Sequence, residues 1–396
     1  MRSTSRVTPF SGQCVVIPLA LPLSSSADYE RTTAYYLARD NTVVLYRVYE
    51  GKTLFRWLRH PEPILSRKGT EYIYTPLYII PFHRFSNIAS VNHWICTKLL
   101  LLILRFFLPR THKGSVLWMF SLQYAVLPRW FGNQFFKIYD CVDGPLRINH
   151  PSGFPHVEDA VLSGAHVVFA NSRTLFTRLF PRHPRVFQTP EGMFIRPKLT
   201  RISEPTDLRG VPHPRVLFLG NINMRLDFRV ITKMLTSLSR ISFVFVGAVD
   251  PQYRPMRSQD LFSHIATLKK FPNVFFLGAK RREDIYRYIR HSDAGIIPYD
   301  TDDEFVRFSY PMKIQEFLYM GKPLLSAPIP EVLLLEPLVS IYRNQDHAAD
   351  ALRKLLSHKP KEAEIKKQKD IAIRNTLEEK MRTIRDILTK HFPNNF

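Results

Sequence analysis

From Pro214 onward the chain alternates short apolar runs with amphipathic stretches, and this alternation restricts the fold more than any other feature. Val216–Leu219, Ile241–Gly247, Asn273–Gly278, Ala294–Tyr299 and Lys322–Ser326 are apolar runs of strand length. Between them, Asp227–Leu238, Leu261–Lys270 and Glu283–His291 carry apolar residues at helical spacing. A further helix starts at Pro311, where proline forfeits no hydrogen bond, and stops at Gly321. Short apolar strands joined through amphipathic helices predict a parallel sheet covered on both faces. Ligands of such sheets bind beyond the carboxyl ends of the strands.

The first half is less regular. Strands are expected at Cys14–Ile17, Thr42–Tyr46, Ser115–Met119, Phe136–Tyr139 and His166–Ala170, and helices at Tyr29–Ala38 and Val157–Leu162. These predict a second α/β domain over 1–190, with a basic insert at about 52–112. A Pro-, Gly- and Arg-rich stretch supplies a linker over 191–213. The C-terminal domain, with the alternating pattern, then runs over 214–360. Glu362–His391 has one long helical pattern, so 361–396 is expected to form a C-terminal helix.

A chain of 396 residues is long enough for two domains with cores of their own. Its formal net charge of +22 points to a polyanion, an anionic membrane surface or phosphorylated ligands. Between Lys52 and Lys137, twelve Lys and Arg stand against only Glu62 and Glu71. Cys14, Cys96 and Cys141 are widely spaced without a CxxC pair, which suggests neither a zinc site nor a disulfide framework and fits a reducing compartment. The first 27 residues superficially resemble a signal peptide, but Pro18 and Pro22 interrupt the apolar run; a short strand from Cys14 fits equally well. In Trp94–Arg110, Lys98 and Arg105 leave too short an uncharged stretch for the ~20 residues a membrane span needs. Ile88, Val91, Ile95, Leu99, Leu102 and Phe106 follow helical spacing. Two readings stay open there: a buried core helix, or a basic amphipathic surface that dips into a bilayer interface.

Three constellations carry chemistry. In "SYPMKIQEFLYMGKPLLS", the free N–H groups of the first helical turn and Ser309 offer an anion site. Lys313 in that turn is unfavourable for the helix itself and would be offset by a phosphate. Glu316 shares its face and suits two hydroxyls of a ribose, although a surface Lys–Glu pair has the same spacing. In "FLGNINMRLDF", Gly220 follows a strand and Arg225 precedes a helix, an arrangement suited to phosphate but equally to an ordinary turn. In "KIYDCVDG", Asp140 and Asp143 stand just past a strand, where one of them serves as general base or sugar ligand, or both serve turn chemistry.

Taken in order, these stretches resemble bacterial GT-B glycosyltransferases of the group 1, family 4-like type. "IIPYDTDDEFVRFSYPMKIQEFLYMGKPLLSAPIPEV" (Ile296–Val332) is similar to the family's run of SPLKxxEYLAxGKPVVS followed by PEV. "YDCVDG" with Glu158–Leu179, "FLGNINMRLDF" and "QTPEGMF" (Gln188–Phe194) resemble further family stretches, and Val116–Cys141 does so more loosely. The resemblance implies two Rossmann-like domains with parallel sheets facing across a cleft. It implies a donor site for a nucleotide-diphosphate sugar at Gly220, Asn221, Arg225, Gly278, Ser309, Tyr310, Lys313 and Glu316. Lys313 and, less directly, Arg225 would hold phosphate, and Glu316 the ribose. Asp140 or Asp143 would bind the sugar or act as base. The final helix would cross back to the first domain. Three positions depart from the family pattern. Phe308 stands where many relatives have a first glutamate, Gly144 where they have a second aspartate, and Glu191 where the linker has Asn.

The expectation is a metal-independent hexosyltransferase without a cofactor, acting on a lipid-linked glycan or polysaccharide precursor. It would be cytoplasmic and peripheral on the inner face of the plasma membrane, with no nucleic acid expected. The alternative is a catalytically inactive basic protein that binds anionic membrane or nucleic acid, although no helix-turn-helix, zinc finger or ribonucleoprotein motif is visible. An epimerase of the same fold would need donor turnover without an acceptor.

Overall fold

The computed structural model describes residues 8–19, 29–48, 51–80, 86–106, 114–122, 125–144, 154–194 and 203–396. The described residues form two compact units. One holds those up to Val142, those from 154 to Gly192, and Leu377–Phe396; the other holds Asp143, Gly144 and Met193–Thr376.

The first unit begins with β1 (Gln13–Pro18), α1 (Tyr29–Leu37) and β2 (Thr42–Tyr46). The basic segment follows as β3 (Lys52–Thr53), α2 (Leu54–Arg59), β4 (Leu65–Lys68), β5 (Glu71–Tyr74), β6 (Leu77–Tyr78) and α3 (Ser86–Phe106). Then come β7 (Gly114–Met119), α4 (Leu127–Phe131), β8 (Phe136–Cys141), α5 (Phe154–Gly164), β9 (Val167–Ala170), α6 (Arg173–Leu179) and β10 (Val186–Gln188). Eight strands form one sheet in the order β10-β9-β8-β7-β1-β2-β5-β4, with neighbours parallel except β4 and β5. The basic segment therefore lends two strands to the main sheet, in runs too short for periodicity to reveal. β1, β8 and β9 are buried along their whole length, as a sheet covered on both faces requires.

Of the two readings open for α3, the buried core helix is the one the structure departs from, because a polar side faces inward. Asn92, Cys96, Thr97 and Leu100 are buried, whereas Val91, Trp94, Leu102 and Phe106 are exposed. The polar inner face is satisfied locally. Asn92 donates to the Ile80 carbonyl (2.9 Å) and accepts from its N–H (3.0 Å), pairing with that backbone as a strand would. The Thr97 hydroxyl donates to His93 O at 2.8 Å, and the Tyr74 hydroxyl donates to Cys96 O at 2.8 Å. With these bonds made, the penalty for burying polar groups is met and the apolar stripe is left outside.

The second unit holds β11 (Arg215–Leu219), α7 (Phe228–Ser237), β12 (Ser242–Val246), α8 (Ser258–Leu268), β13 (Val274–Gly278), α9 (Ile285–Arg290) and β14 (Ala294–Ile297). It continues with α10 (Glu304–Phe308), α11 (Met312–Tyr319), β15 (Leu324–Ser326), α12 (Pro330–Leu333), β16 (Ser340–Ile341), α13 (Gln345–Ser357) and α14 (Glu362–Arg374). Its six strands are all parallel, in the order β13-β12-β11-β14-β15-β16. α7 shows why the alternation was legible. Asp227 caps its first turn, accepting from the N–H groups of Arg229 (3.0 Å) and Val230 (3.2 Å). Phe228, Val230, Ile231, Met234 and Leu235 then turn inward. Each such large side chain removed from water contributes about 1.5–3 kcal/mol.

The tail is two helices, not one. α14 ends where Asn375 donates to Ile371 O (3.1 Å) and the Thr376 hydroxyl donates to Ile373 O (2.9 Å), side-chain bonds that compete with a continuing helix. α14 packs on α11 within the second unit, with Ile365 against Gly321. α15 (Leu377–His391) belongs to the first unit.

Candidate donor site

In the second unit, β12 and β13 lie on one side of β11 and β14 to β16 on the other. The order of strands thus reverses between β11 and β14, where their carboxyl ends open a natural crevice. The loops leaving these strands are stitched together. Gly220 N donates to Val246 O (2.9 Å) and Ile222 N to Ala248 O (2.8 Å), which ties the β11 exit to the β12 exit. Asp227 N donates to Pro298 O (2.8 Å) and Asp300 N to Arg225 O (2.8 Å), which ties it to the β14 exit. Glycines make this possible: a Cβ on Gly247 would lie 1.9 Å from Gly220 O, and Gly220 itself has φ of 123°.

Stitching brings two cations to one tyrosine. Lys313 Nζ donates to the Tyr299 hydroxyl at 2.5 Å and lies 5.0 Å from the Phe218 ring centroid. The Arg225 guanidinium lies 5.5 Å from the Tyr299 ring centroid, 5.1 Å from that of Tyr253 and 5.4 Å from that of Phe305. Asn223 fixes it further, accepting from both the backbone N (3.2 Å) and Nε (3.3 Å) of Arg225. Neither cation forms an ion pair among the described residues. Burial pushes the Tyr299 phenol up, but Lys313 and Arg225 outweigh it and leave its pKa below the ordinary value. Two cations held by aromatic faces and neutral acceptors make a site built for an anion.

Glu316 lies one helical turn beyond Lys313, almost fully buried and paired with Arg282. Arg282 also donates to Met312 Sδ at 3.2 Å. A carboxylate pinned from one side keeps a fixed direction for its remaining acceptor capacity. Asp143 has an open face yet is crowded by protein. That crowding raises its carboxyl pKa, and the nearby Arg225 pulls it part of the way back.

No protein-family model matches the chain. Over 134 residues it is 28% identical to a Bacillus subtilis (strain 168) protein assigned by name as the teichuronic acid biosynthesis glycosyltransferase TuaH; the match spans 34% of this chain and 32% of that protein. An α,α-trehalose-phosphate synthase (UDP-forming) from Burkholderia vietnamiensis superposes with a TM-score of 0.69 at 13% identity, covering 96% of this chain and 99% of its own. An E. coli trehalose-6-phosphate protein bound with UDP-2-fluoro glucose gives a TM-score of 0.66 at 13% identity, covering 95% and 98%. The fold is GT-B. Both units of this GT-B chain are accordingly Rossmann-like, with mainly parallel sheets.

The GT-B framework brings Gly220, Arg225 and Lys313 together around Tyr299. Other residues named from sequence have local commitments. Asn221 Nδ2 donates to Asp250 Oδ2 (3.3 Å), and Gly278, with φ of 72°, accepts from Gly247 N (3.0 Å). The Ser309 hydroxyl gives its proton to Val306 O (2.9 Å) at the end of α10, and Tyr310 accepts from Gln315. Pro311 is the residue before the helix, which starts at Met312. Asp140 lies in the first unit, wholly buried, with both oxygens taken: Lys380 Nζ donates to Oδ1 (2.8 Å) and Trp118 Nε1 to Oδ2 (3.3 Å).

Sequence reasoning passed over Tyr299, Tyr253, Asn223, Gly247 and Arg282. Tyr299 had a signal, because it ends an apolar run at the strand-order reversal. Arg282 sits in "KRRED", where nothing distinguishes it from its basic neighbours.

Proposed function

We propose that the chain is a glycosyltransferase that moves a sugar from a nucleotide-diphosphate sugar to an acceptor hydroxyl. The observation that carries this reading is the pair of cations, Lys313 and Arg225, held at the strand-order reversal by aromatic faces and neutral acceptors, with no ion pair to either among the described residues. In the reaction the bond between the anomeric carbon and the diphosphate oxygen breaks. The leaving nucleoside diphosphate keeps the electron pair, and the acceptor oxygen bonds to the anomeric carbon and loses its proton. Lys313, Arg225 and the N-terminus of α11 stabilise the charge that develops on the diphosphate, so the reading needs no metal. Glu316, oriented by Arg282, takes the ribose hydroxyls. Asp143 is the better placed of the two aspartates to meet the sugar or take the proton, since its side chain is exposed beside Arg225 whereas Asp140 is wholly buried with both oxygens bonded. Asp140 positions structure instead.

The names of the solved neighbours support UDP as the first nucleotide to test, and the teichuronic acid in the name of the Bacillus subtilis relative supports a polysaccharide precursor, which we take to be lipid-linked, as the acceptor. That acceptor would bring the chain to the inner face of the plasma membrane.

A thermal-shift screen of the purified chain against UDP, GDP, ADP and TDP and their sugars tests the donor reading. One nucleotide should raise Tm, and the rise should vanish in Lys313→Ala and shrink in Glu316→Gln. No shift with any nucleotide, in a folded sample that binds DNA with steep salt dependence, would move the reading to the basic binding protein.

A further inference from the structure

α2 and α3 leave an apolar face that the fold does not use. α2 buries none of its residues; Phe55 is 65% exposed, and Leu54 and Leu58 are exposed beside it. On α3 the outward residues are Val91, Trp94, Lys98, Leu102, Arg105 and Phe106, with Trp94 46% and Phe106 57% exposed. Their spacing follows one side of a helix over roughly 23 Å, from 1.5 Å per residue. Both helices contact β6, so they belong to one region of the first unit.

Cations are set into this face. The Arg59 guanidinium lies 4.3 Å from the Phe55 ring centroid, Arg105 5.6 Å from Phe106, and Lys98 Nζ 6.0 Å from Trp94. Neither α2 nor α3 contains an Asp or Glu. Glu62, the acidic residue closest in sequence, is paired with Lys52 at 2.5 Å.

We infer that this face is a docking surface for an anionic lipid bilayer. Aromatic and aliphatic side chains enter the boundary between headgroups and acyl chains, while Arg and Lys meet phosphate at the surface. Charge favours this occupant over a second copy of the chain, because an isologous interface would press two basic faces together. Aliphatic Leu and Val side chains add nothing to a phosphate backbone, which argues against nucleic acid. No described helix is long and apolar enough to cross a membrane, so the contact is interfacial. The inference deepens the membrane part of the proposed function, yet it is independent of donor chemistry.

The test is vesicle flotation of the full chain with phosphatidylcholine alone and with phosphatidylcholine containing phosphatidylglycerol. Binding should require the anionic lipid and weaken with salt. Phe55→Ser with Phe106→Ser should weaken it at least tenfold, since each large apolar side chain contributes about one order of magnitude. Arg59→Glu with Arg105→Glu should weaken it by a similar factor and abolish the preference for phosphatidylglycerol. All four side chains are exposed, so the variants should keep the parent Tm and UDP response. Unchanged flotation in both variants would overturn the inference. So would sedimentation showing a dimer that Phe106→Ser dissolves, or binding to RNA in preference to vesicles.

Discussion

Phe308 occupies the space that a side chain at Gly144 would need. A Cβ built on Gly144 lies 2.5 Å from the Cβ of Phe308. These are two of the positions where the chain departs from the pattern it resembles, with glycine in place of an aspartate and phenylalanine in place of a glutamate. They meet in the second unit, and the lack of one side chain matches the bulk of the other.

Gly144→Ala should therefore destabilise the chain by about 1–3 kcal/mol through overpacking. Phe308→Ala in the same chain should relieve most of that loss. Urea unfolding of the two single variants and the double variant gives the coupling directly; contacting residues typically couple by about 0.5–3 kcal/mol. Strictly additive values would show that the two residues do not share space in solution.

Lys313→Ala and Arg225→Ala should each weaken nucleoside diphosphate binding by about 10- to 100-fold, the loss of one charge-assisted hydrogen bond of roughly 1.5–3 kcal/mol. Binding of the plain nucleoside should change little. Neither substitution breaks an ion pair among the described residues, so Tm should fall by only a few degrees. Isothermal titration with UDP and with uridine separates the two effects. Equal losses for both ligands would place the cations away from the diphosphate.

Tyr299 should titrate early. Burial opposes ionisation, but Lys313 and Arg225 outweigh it, so the folded chain favours the phenolate more than the unfolded chain does. The sign follows from linkage: this stabilisation is present above the unfolded pKa and is lost as pH falls through the folded one. Relative to Tyr299→Phe, the parent should gain stability as pH rises through the alkaline range and show no difference from this source at neutral pH. Absorbance at the phenolate band should show one early tyrosine that disappears in Tyr299→Phe. Bound nucleoside diphosphate should delay its ionisation, because the diphosphate competes for the same cations.

Much of the second unit was legible in the sequence, because each of its strands is bounded by a turn and each main helix carries one apolar face. β11, β12 and β14 fall within two residues of where their apolar runs place them. Gly220, Arg225, Lys313 and Glu316 stand out in the sequence only as candidates, because glycine after a strand and charge at a helix start have local physical reasons that an ordinary turn or a surface pair shares. What lies across space was not legible. Tyr299 matters only because the strand order reverses beside it, and Arg282 only because it reaches Glu316. The orientation of α3 stayed open between two readings, since Asn92 and Thr97 are polar by type and become inward residues only through partners at Ile80, Tyr46 and His93. Asp140 looked like a chemical carboxylate for the same reason: its partner, Lys380, is 240 residues away.

That distant pair makes the sharpest stability prediction. Asp140 and Lys380 are both buried, 2.8 Å apart, and the lysine stem lies against Gly192, where a Cβ would come within 2.9 Å of Lys380 Cδ. The Lys380 ammonium also sits 5.9 Å from the Tyr29 ring centroid. Removing one partner strands the other charge away from water. Lys380→Ala should thus destabilise the first unit by about 3–5 kcal/mol, far more than loss of an exposed pair. Replacing both charges, Asp140→Asn with Lys380→Met, should restore most of that stability, because the desolvation of two ions is no longer required. Urea unfolding followed by far-UV circular dichroism reads both values. If Lys380→Ala were nearly neutral, water must reach the pair, and Asp140 would return to consideration as the carboxylate that meets substrate. If the double variant regains stability and also transfers sugar, Asp140 is a strut that anchors α15 and the chemistry belongs to another carboxylate.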